Sequence, residues 1–237
     1  MAFDQTQYVT DNHQESVQIT TGGVELAGTL TLPAQPRGVV LFAHGSDSSR
    51  LSPRNQYVAN VLVQANFGTL LFDLLTEREA RARSNVFDIP LLAERLREAT
   101  RWVASNPASA NMQIGYFGAS TGAAAALAAA AEEPSIRAVV SRGGRPDLAG
   151  DLLSRVRAPT LLIVGGNDAP VLDLNRAALA RLDGIKQLVV VPGATHLFEE
   201  PGTLEAVARL AADWFARHLG AVDTARQVHN DSQRRKS

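Results

Sequence analysis

Alternating apolar and polar segments predict a series of strands and helices between residues 17 and 219. Several strand candidates are short runs in which every residue is apolar, as expected for strands that are covered on both faces. Helix candidates instead carry apolar residues three and four positions apart, as at Leu92, Leu96 and Val103. Because a hairpin is followed by repeated strand–helix units, we predict an α/β fold with a mostly parallel, doubly wound sheet of about eight strands.

Glycine, proline and capping residues mark where the predicted elements begin and end. Gly22-Gly23 predicts a tight hairpin turn, and Ser52-Pro53 and Asp88 each predict a helix start. The polar, arginine-rich stretch 76–86 predicts a loop. The predicted strands cover residues 17–20, 25–32, 38–43, 69–73, 112–117, 136–141, 159–165 and 186–191. The predicted helices cover residues 52–65, 123–131, 146–155, 171–182 and 204–219, with a further helix that starts at Asp88.

Length and composition fit a single globular domain. The chain has 237 residues, of which 45% are hydrophobic and 20% are charged. We assign residues 1–16 to a polar N-terminal segment, 17–219 to the α/β domain and 220–237 to a polar, disordered tail.

Charge and residue usage argue against several classes of function. The net charge of −1 gives no basic surface for nucleic acid or an anionic membrane. The absence of cysteine excludes disulfides, thiolate metal sites and a cysteine nucleophile. No apolar leader begins the sequence, and the alanine run 123–131 is too short to cross a bilayer. We therefore expect a cytoplasmic protein without a cofactor or metal ion, which binds neither nucleic acid nor a membrane.

The pentapeptide Gly118-Ala119-Ser120-Thr121-Gly122 lies between a buried strand and an alanine-rich helix. A G-x-S-x-G sequence in this setting predicts a nucleophile elbow, a turn so tight that only small residues fit around the serine. The turn lifts the Ser120 hydroxyl clear of the sheet and points the helix N-terminus towards the space in front of it. Ser120 is therefore a candidate nucleophile.

Two further candidates follow later strands, at the edge where parallel sheets place their sites. Asp168 comes after the strand 159–165, and His196 comes after the strand 186–191. A serine hydroxyl needs a base to take its proton, and histidine side chains suit that role near neutral pH. Asp168 would then orient the imidazole and stabilise its protonated form.

The tetrahedral intermediate of acyl transfer also needs two hydrogen-bond donors for its oxyanion. We predict that the backbone amides of Ser46 and Thr121 supply them, because Ser46 follows His44-Gly45 at a strand end and Thr121 begins a helix. His44 is interpreted as a residue that orders its own loop.

Each of these residues has a simpler interpretation when it is taken alone. Ser120 and Asp168 could cap helices, and His196 could be a solvated loop residue. Their joint occurrence at strand ends, in the order Ser, Asp, His, favours a hydrolase.

Four segments resemble the α/β-hydrolase superfamily, and most closely its small dienelactone-hydrolase-like branch. They are HGS at 44–46, GASTG at 118–122, GGND at 165–168 and GATHLFEEPG at 193–202. The resemblance implies Ser120 as nucleophile, Asp168 as acid and His196 as base, with Ser46 and Thr121 lining the oxyanion hole. Dienelactone hydrolases proper use a cysteine nucleophile, so this chain resembles a general esterase and their lactone specificity does not carry over.

Many hydrolases of this fold carry a helical lid. The stretch between the strand ending near Ser141 and the one beginning near Pro159 has room only for a short helix, so we predict no large lid. The site is expected to be open, or to be covered by the loop 74–90 or by a partner subunit in a homodimer.

Arg142 and Arg145 follow a strand end and are candidate substrate-binding residues. Either could bind a substrate carboxylate in a bidentate fork. An internal ion pair with Asp147, Asp73 or Asp47 is the favoured interpretation, because surface arginines usually pair locally.

The leading hypothesis is a serine hydrolase that cleaves a small carboxylic ester through an acyl-enzyme. Thioester cleavage, lactone cleavage and acyl transfer would use the same three residues, and the fold does not decide between them. A non-catalytic binding protein of this fold is a further alternative, although binding alone would not require all three residues.

Overall fold

The computed structural model describes residues 12–219, which fold around one eight-stranded sheet. The strands are β1 His13–Thr21, β2 Val24–Leu32, β3 Val39–Ala43, β4 Gly68–Phe72, β5 Ile114–Ala119, β6 Ile136–Arg142, β7 Thr160–Gly165 and β8 Lys186–Val191. Their order across the sheet is β1-β2-β4-β3-β5-β6-β7-β8. Strand β2 runs antiparallel to β1 and β4, and the pairs from β4 to β8 are all parallel. The predicted fold class is confirmed.

The hairpin between β1 and β2 turns at Gly22 and Gly23, as predicted. Both have left-handed φ angles, of 52° and 82°, which glycine adopts without steric cost. Strand β1 begins at His13, four residues before the predicted start. Its first residues are polar and mostly exposed, because an antiparallel edge strand needs no apolar face there.

Seven α-helices and one 3-10 segment cover the sheet among the described residues. They are α1 Pro53–Gln64, α2 Glu77–Ala80, α3 Arg83–Val86, α4 Ile89–Ser105, α5 Thr121–Glu132, the 3-10 segment Pro146–Arg155, α6 Ala169–Arg181 and α7 Thr203–His218. The Ser52 hydroxyl and the Asp88 carboxylate accept hydrogen bonds from the first turns of α1 and α4, as their positions predict.

Two of the predicted elements differ from the structure. The stretch 76–86 is not a plain loop, because Thr76 and Glu79 form a capping box that starts the one-turn helix α2. The segment 146–155 is a 3-10 helix rather than a regular helix, and Gly150 interrupts it with a φ of 56°. Residues 1–11 and 220–237, which include most of the predicted N-terminal segment and the predicted tail, lie outside the described residues.

Neighbouring residues of the central strands pack into opposite layers of the core. Leu41 and Tyr116 face the layer that holds α4 and α5, and the adjacent Phe42 and Phe117 face the layer of α1 and α7. Helix α5 is buried over almost its whole length between the sheet, α4 and the 3-10 segment. Its alanine side chains allow this close packing, which fixes the helix N-terminus beneath the strand ends.

No helix within residues 12–219 has the length and apolar character needed to cross a membrane. The cytoplasmic location and the homodimer stay predictions.

Candidate active site

Ser120 lies at a strained turn between β5 and α5. Its φ of 52° is in the left-handed region that non-glycine residues rarely occupy. A methyl group on Gly122 would lie 2.2 Å from the Ala43 carbonyl oxygen, and one on Gly118 would lie 2.5 Å from the Ala123 Cα. Only glycine fits at both positions, which is the steric signature of a nucleophile elbow.

The three candidate catalytic side chains lie in one hydrogen-bonded chain. His196 Nε2 is 3.3 Å from Ser120 Oγ, and His196 Nδ1 is 2.7 Å from Asp168 Oδ2. Because a carboxylate only accepts, Nδ1 carries the proton that bonds Asp168, which leaves the Nε2 lone pair directed towards the serine hydroxyl. This is the geometry that a base needs to remove the proton from Ser120.

The simpler capping interpretation does not account for Ser120 or Asp168. Each precedes a helix in the N-cap position, yet neither side chain accepts a hydrogen bond from its own helix. Asp168 instead bonds His196 and is only 13% exposed, whereas the imidazole is 38% exposed. The histidine can therefore contact a substrate while its carboxylate partner stays shielded.

The loop that carries His196 is held at both ends. Thr195 donates from its backbone amide and its hydroxyl to the two carboxylate oxygens of Glu200, and the hydroxyl bond lowers the pKa of Glu200. Phe198 is 1% exposed and has a left-handed φ of 56°. A buried aromatic anchor and a carboxylate clamp thus position the imidazole between them.

The two backbone amides that the sequence predicts for an oxyanion hole, those of Ser46 and Thr121, are both without an acceptor in the described residues. Thr121 is the first residue of α5, so its amide has no acceptor within the helix. The Ser46 amide likewise bonds no acceptor within residues 12–219. A methyl group on Gly45 would lie 3.1 Å from Ser120 Cβ, so the glycine lets the Ser46 loop approach the elbow closely.

His44 orders this loop rather than contacting the nucleophile. Its Nε2 accepts a hydrogen bond from the Leu74 amide at 3.0 Å, and its Nδ1 donates to the Gly45 carbonyl at 2.9 Å. Both bonds require the neutral ring, and burial lowers the pKa of His44. The interpretation of His44 as a loop-ordering residue is confirmed.

Two cavities meet at the Ser46 loop. The larger has a volume of about 430 Å³, and its wall combines apolar side chains, among them Leu26, Leu74, Leu75 and Leu92, with Thr121 and several charged residues. The smaller has a volume of about 150 Å³ and contains Ser120 and His196 together with Arg54 and Arg142. Among residues 12–219, no group of three or more His, Asp or Glu side chains is arranged to hold a metal ion.

A sequence model described as the dienelactone hydrolase family matches residues 64–224. The match includes the elbow at Ser120 as well as Asp168 and His196, which the structure brings together. The chain belongs to the dienelactone hydrolase family.

Solved structures of related proteins share this fold. A dienelactone hydrolase from Anabaena variabilis is 56% identical, with a TM-score of 0.86 over 88% of this chain and 99% of that one. The esterase domain of a Rhodothermus marinus protein is 21% identical and superposes with a TM-score of 0.71 over 88% of this chain and 100% of that one, which shows the common fold.

A curated relative that is longer than this chain is named for a different activity. A Mycobacterium tuberculosis protein provisionally named a phosphoribosyl transferase is 65% identical over 206 residues, or 86% of this chain and 46% of the relative. The chain thus spans about half the length of that relative.

Arg142 and Arg145, the two predicted substrate-binding arginines, have different surroundings in this member of the dienelactone hydrolase family. Arg145 pairs with Asp147 through two bonds, of 2.9 and 2.8 Å, as the favoured interpretation predicts. For Arg142 that interpretation is wrong, because none of the carboxylates in residues 12–219 pairs with it. Asp73, one expected partner, is occupied by Arg50 at 2.8 Å.

Arg54 lines the smaller cavity from the first turn of α1, although it is not among the predicted site residues. Its position in the sequence could have indicated a role at the site. A positive charge in the first turn of a helix interacts unfavourably with the helix dipole, so it suggests a nearby negative partner or ligand. Phe198 was missed as well, and nothing in its sequence context indicates the left-handed backbone that buries it.

Proposed function

We propose that this chain is a serine hydrolase that cleaves a small carboxylic ester through an acyl-enzyme. Ser120 is the nucleophile, His196 the general base and Asp168 the acid that orients it. The observation that carries the proposal is the hydrogen-bonded chain from Ser120 Oγ through both ring nitrogens of His196 to Asp168.

The first half of the reaction forms the acyl-enzyme. Ser120 Oγ attacks the carbonyl carbon of the ester while His196 Nε2 takes the hydroxyl proton. The negative charge that develops on the carbonyl oxygen is stabilised by the amides of Ser46 and Thr121. The C–O bond then breaks, and the alcohol leaves with the proton from His196, while Asp168 stabilises the imidazolium in between.

The second half returns the free enzyme. A water molecule attacks the acyl carbon, and His196 takes its proton. The bond to Ser120 Oγ breaks, the serine recovers the proton from His196, and the carboxylic acid is released.

The larger cavity supports a substrate with a short acyl chain. It opens from the amides of Ser46 and Thr121, and its apolar leucine lining would bury methylene groups. The short helices α2 and α3 contribute Glu77, Ala80 and Val86 to its wall, so the stretch 76–86 acts as the local cover of the site.

Other chemistries remain alternatives for the same triad. Thioesters and lactones present the same carbonyl to Ser120, and an alcohol could replace water in the second half-reaction. Phosphoribosyl transfer belongs to the name of a relative more than twice as long as the matched segment, and the serine–histidine pair argues for hydrolysis by this chain.

Kinetics with p-nitrophenyl esters test the proposal. We expect turnover of acetate to octanoate esters, and a fall in kcat/KM of at least about 10⁴-fold in Ser120→Ala, because the nucleophile is lost. Ser154→Ala removes an exposed serine outside both cavities and should match the wild type. Turnover by Ser120→Ala within about tenfold of the wild type would contradict the proposal.

Parallel assays separate the alternatives. Butyryl thioesters, small lactones and an added alcohol acceptor are compared with the oxygen ester at equal concentration. A higher kcat/KM for one of these would reassign the substrate class while leaving the role of Ser120 in place.

A further inference from the structure

We propose that the smaller cavity is an anion site in which Arg142 and Arg54 bind a carboxylate or phosphate group on the alcohol part of the ester. This inference rests on the proposed hydrolase function and specifies the class of substrate. It concerns residues that the reaction itself does not require, so it can fail while the hydrolase proposal holds.

Arg142 is a buried cation without a counter-ion in the described chain. Its side chain is 6% exposed, and its one hydrogen bond goes from Nη2 to the neutral Asn55 Oδ1 at 3.4 Å. Its Nε is buried without an acceptor. The guanidinium lies 5.9 Å from the centre of the Phe198 ring, a contact that compensates only part of the lost hydration.

A second cationic side chain, that of Arg54, lines the same cavity as Arg142. Arg54 bonds Glu199 at 3.0 Å, but Glu199 is 63% exposed, so solvent screens this ion pair. Burial, together with the charge of Arg54, lowers the pKa of Arg142 to about 10, so the guanidinium stays protonated at neutral pH. Asp47, the carboxylate that lines this cavity, is exposed and forms no ion pair with either arginine among the described residues. The two positive charges therefore repel each other unless a further anion lies between them.

The free energy of this arrangement favours a bound anion. Taking a guanidinium out of water without a partner costs several kcal/mol, and natural proteins pair such charges. Residues 12–219 offer the Arg142 side chain only the amide oxygen of Asn55. A carboxylate or phosphate in the cavity would accept the forked hydrogen bonds that arginine forms most strongly.

The position of His196 assigns the anion to the leaving group. His196 Nε2 must reach the departing alcohol oxygen to return its proton, so the alcohol lies on the histidine side of Ser120. His196 and both arginines line the smaller cavity, and none of them lines the larger one. The acyl chain then occupies the larger cavity, and the alcohol places its anion beside Arg142.

Isosteric ester pairs test the charge requirement. Butyryloxyacetate carries a carboxylate on the alcohol, and butyryloxyacetamide replaces it with a neutral amide of similar shape. We expect the wild type to prefer the carboxylate, and Arg142→Met and Arg54→Gln each to reduce the ratio of the two kcat/KM values by roughly tenfold or more. Because each variant is compared with the wild type on the same two esters, differences in intrinsic reactivity cancel.

Control variants separate a binding role from a structural one. Arg145→Gln removes a nearby arginine that is already paired with Asp147, and should leave the ratio unchanged. Arg54 is about one-third exposed, so Arg54→Gln reports on the site even if Arg142→Met fails to fold. In Arg145→Gln, hydrolysis of the neutral amide ester should also stay within about threefold of the wild type, since the variant alters neither cavity.

Two further substrates show which anionic group is preferred and whether it belongs to the alcohol or the acyl part of the ester. 2-(Butyryloxy)ethyl phosphate tests phosphate against carboxylate, and an anion preference with either one supports the site. Monoethyl succinate against ethyl succinamate places the charge on the acyl part instead, and an arginine-dependent preference found only there would overturn the leaving-group assignment. No charge preference, or one that neither arginine variant reduces, would overturn the anion site.

Labelling by a fluorophosphonate at Ser120 is followed in every variant. If Ser120 labels and neutral esters are hydrolysed while the charge preference is absent, the anion site is wrong and the hydrolase proposal stands. If Ser120 does not label in the wild type, the hydrolase proposal itself fails.

Discussion

Two buried arginines in this protein have equal exposure and opposite surroundings. Arg95 and Arg142 are each 6% exposed, and the Nε of each lacks an acceptor. Arg95 nevertheless pairs with Glu79 at 2.9 Å and donates to the hydroxyl of Thr21 at 3.1 Å. Arg142 has one long bond to an amide oxygen.

The difference follows from where the two side chains lie. Arg95 joins α4 to α2 and to the end of β1, so the chain itself supplies its carboxylate and holds three elements together. Arg142 ends β6 beside the candidate nucleophile, whose amide donates to the Arg142 carbonyl. A buried charge that the fold satisfies is structural, whereas one left unsatisfied at a site is available to a ligand.

Replacing Arg95 should have the largest effect on stability. In Arg95→Met we expect the free energy of unfolding to fall by about 2–3 kcal/mol, because the buried Thr21 oxygens lose their donor and the partly exposed Glu79 carboxylate loses its partner. Urea denaturation of the variant and the wild type measures the loss. A loss below about 1 kcal/mol would show that the pair is not structural.

Replacing Arg142 should have a smaller effect, of the opposite sign. Arg142→Met removes an unpaired buried charge and keeps most of the side-chain volume, so the free energy of unfolding should stay the same or rise by about 1–2 kcal/mol. The same urea titration measures it. If Arg142→Met were destabilised as strongly as Arg95→Met, the contrast between the two arginines would be lost.

His44 is a further buried titratable side chain near the strand ends, and like Arg95 it finds its hydrogen-bond partners within the chain. Burial lowers its pKa, so at pH values below about 6.5 the unfolded chain takes up a proton that folded His44 does not. Its contribution to the free energy of unfolding is therefore complete above that pH and declines as the pH falls towards the folded pKa.

The variant His44→Gln isolates this contribution to the free energy of unfolding, which is the smallest of the three. His44→Gln should lose about 1 kcal/mol at pH 7.5, because it replaces two buried hydrogen bonds imperfectly. Its stability should then decline less than that of the wild type between pH 6.5 and 5.5. Equal slopes for the two proteins, measured by urea denaturation at each pH, would show that His44 is not held neutral.

Local patterns were sufficient for the fold and for the triad geometry. The apolar strands, the helix caps at Ser52 and Asp88 and the elbow glycines each act within a few residues, and strand ends bring Ser120, Asp168 and His196 to one edge of the sheet. Helix α2 was missed although its capping box is a local signal, because the arginines around it suggested a loop.

The arginine pairings depended on distant contacts. Arg142 meets Asn55 across 87 residues, and Arg50 takes Asp73 across 23. Asp147 is the nearest carboxylate in sequence to both Arg142 and Arg145, so sequence distance predicts the partner of Arg145 correctly and that of Arg142 wrongly. The contact of Arg142 with Asn55 forms only because the tertiary fold brings α1 to the end of β6.

Covalent labelling tests the central claim most directly. The protein is incubated with a fluorophosphonate, digested, and mapped by mass spectrometry. We predict one adduct, on Ser120, that is absent from Ser120→Ala and strongly slowed in His196→Gln, because the hydroxyl is activated by the imidazole. An unmodified Ser120 in protein that still hydrolyses p-nitrophenyl butyrate, or an adduct on another residue, would contradict the account.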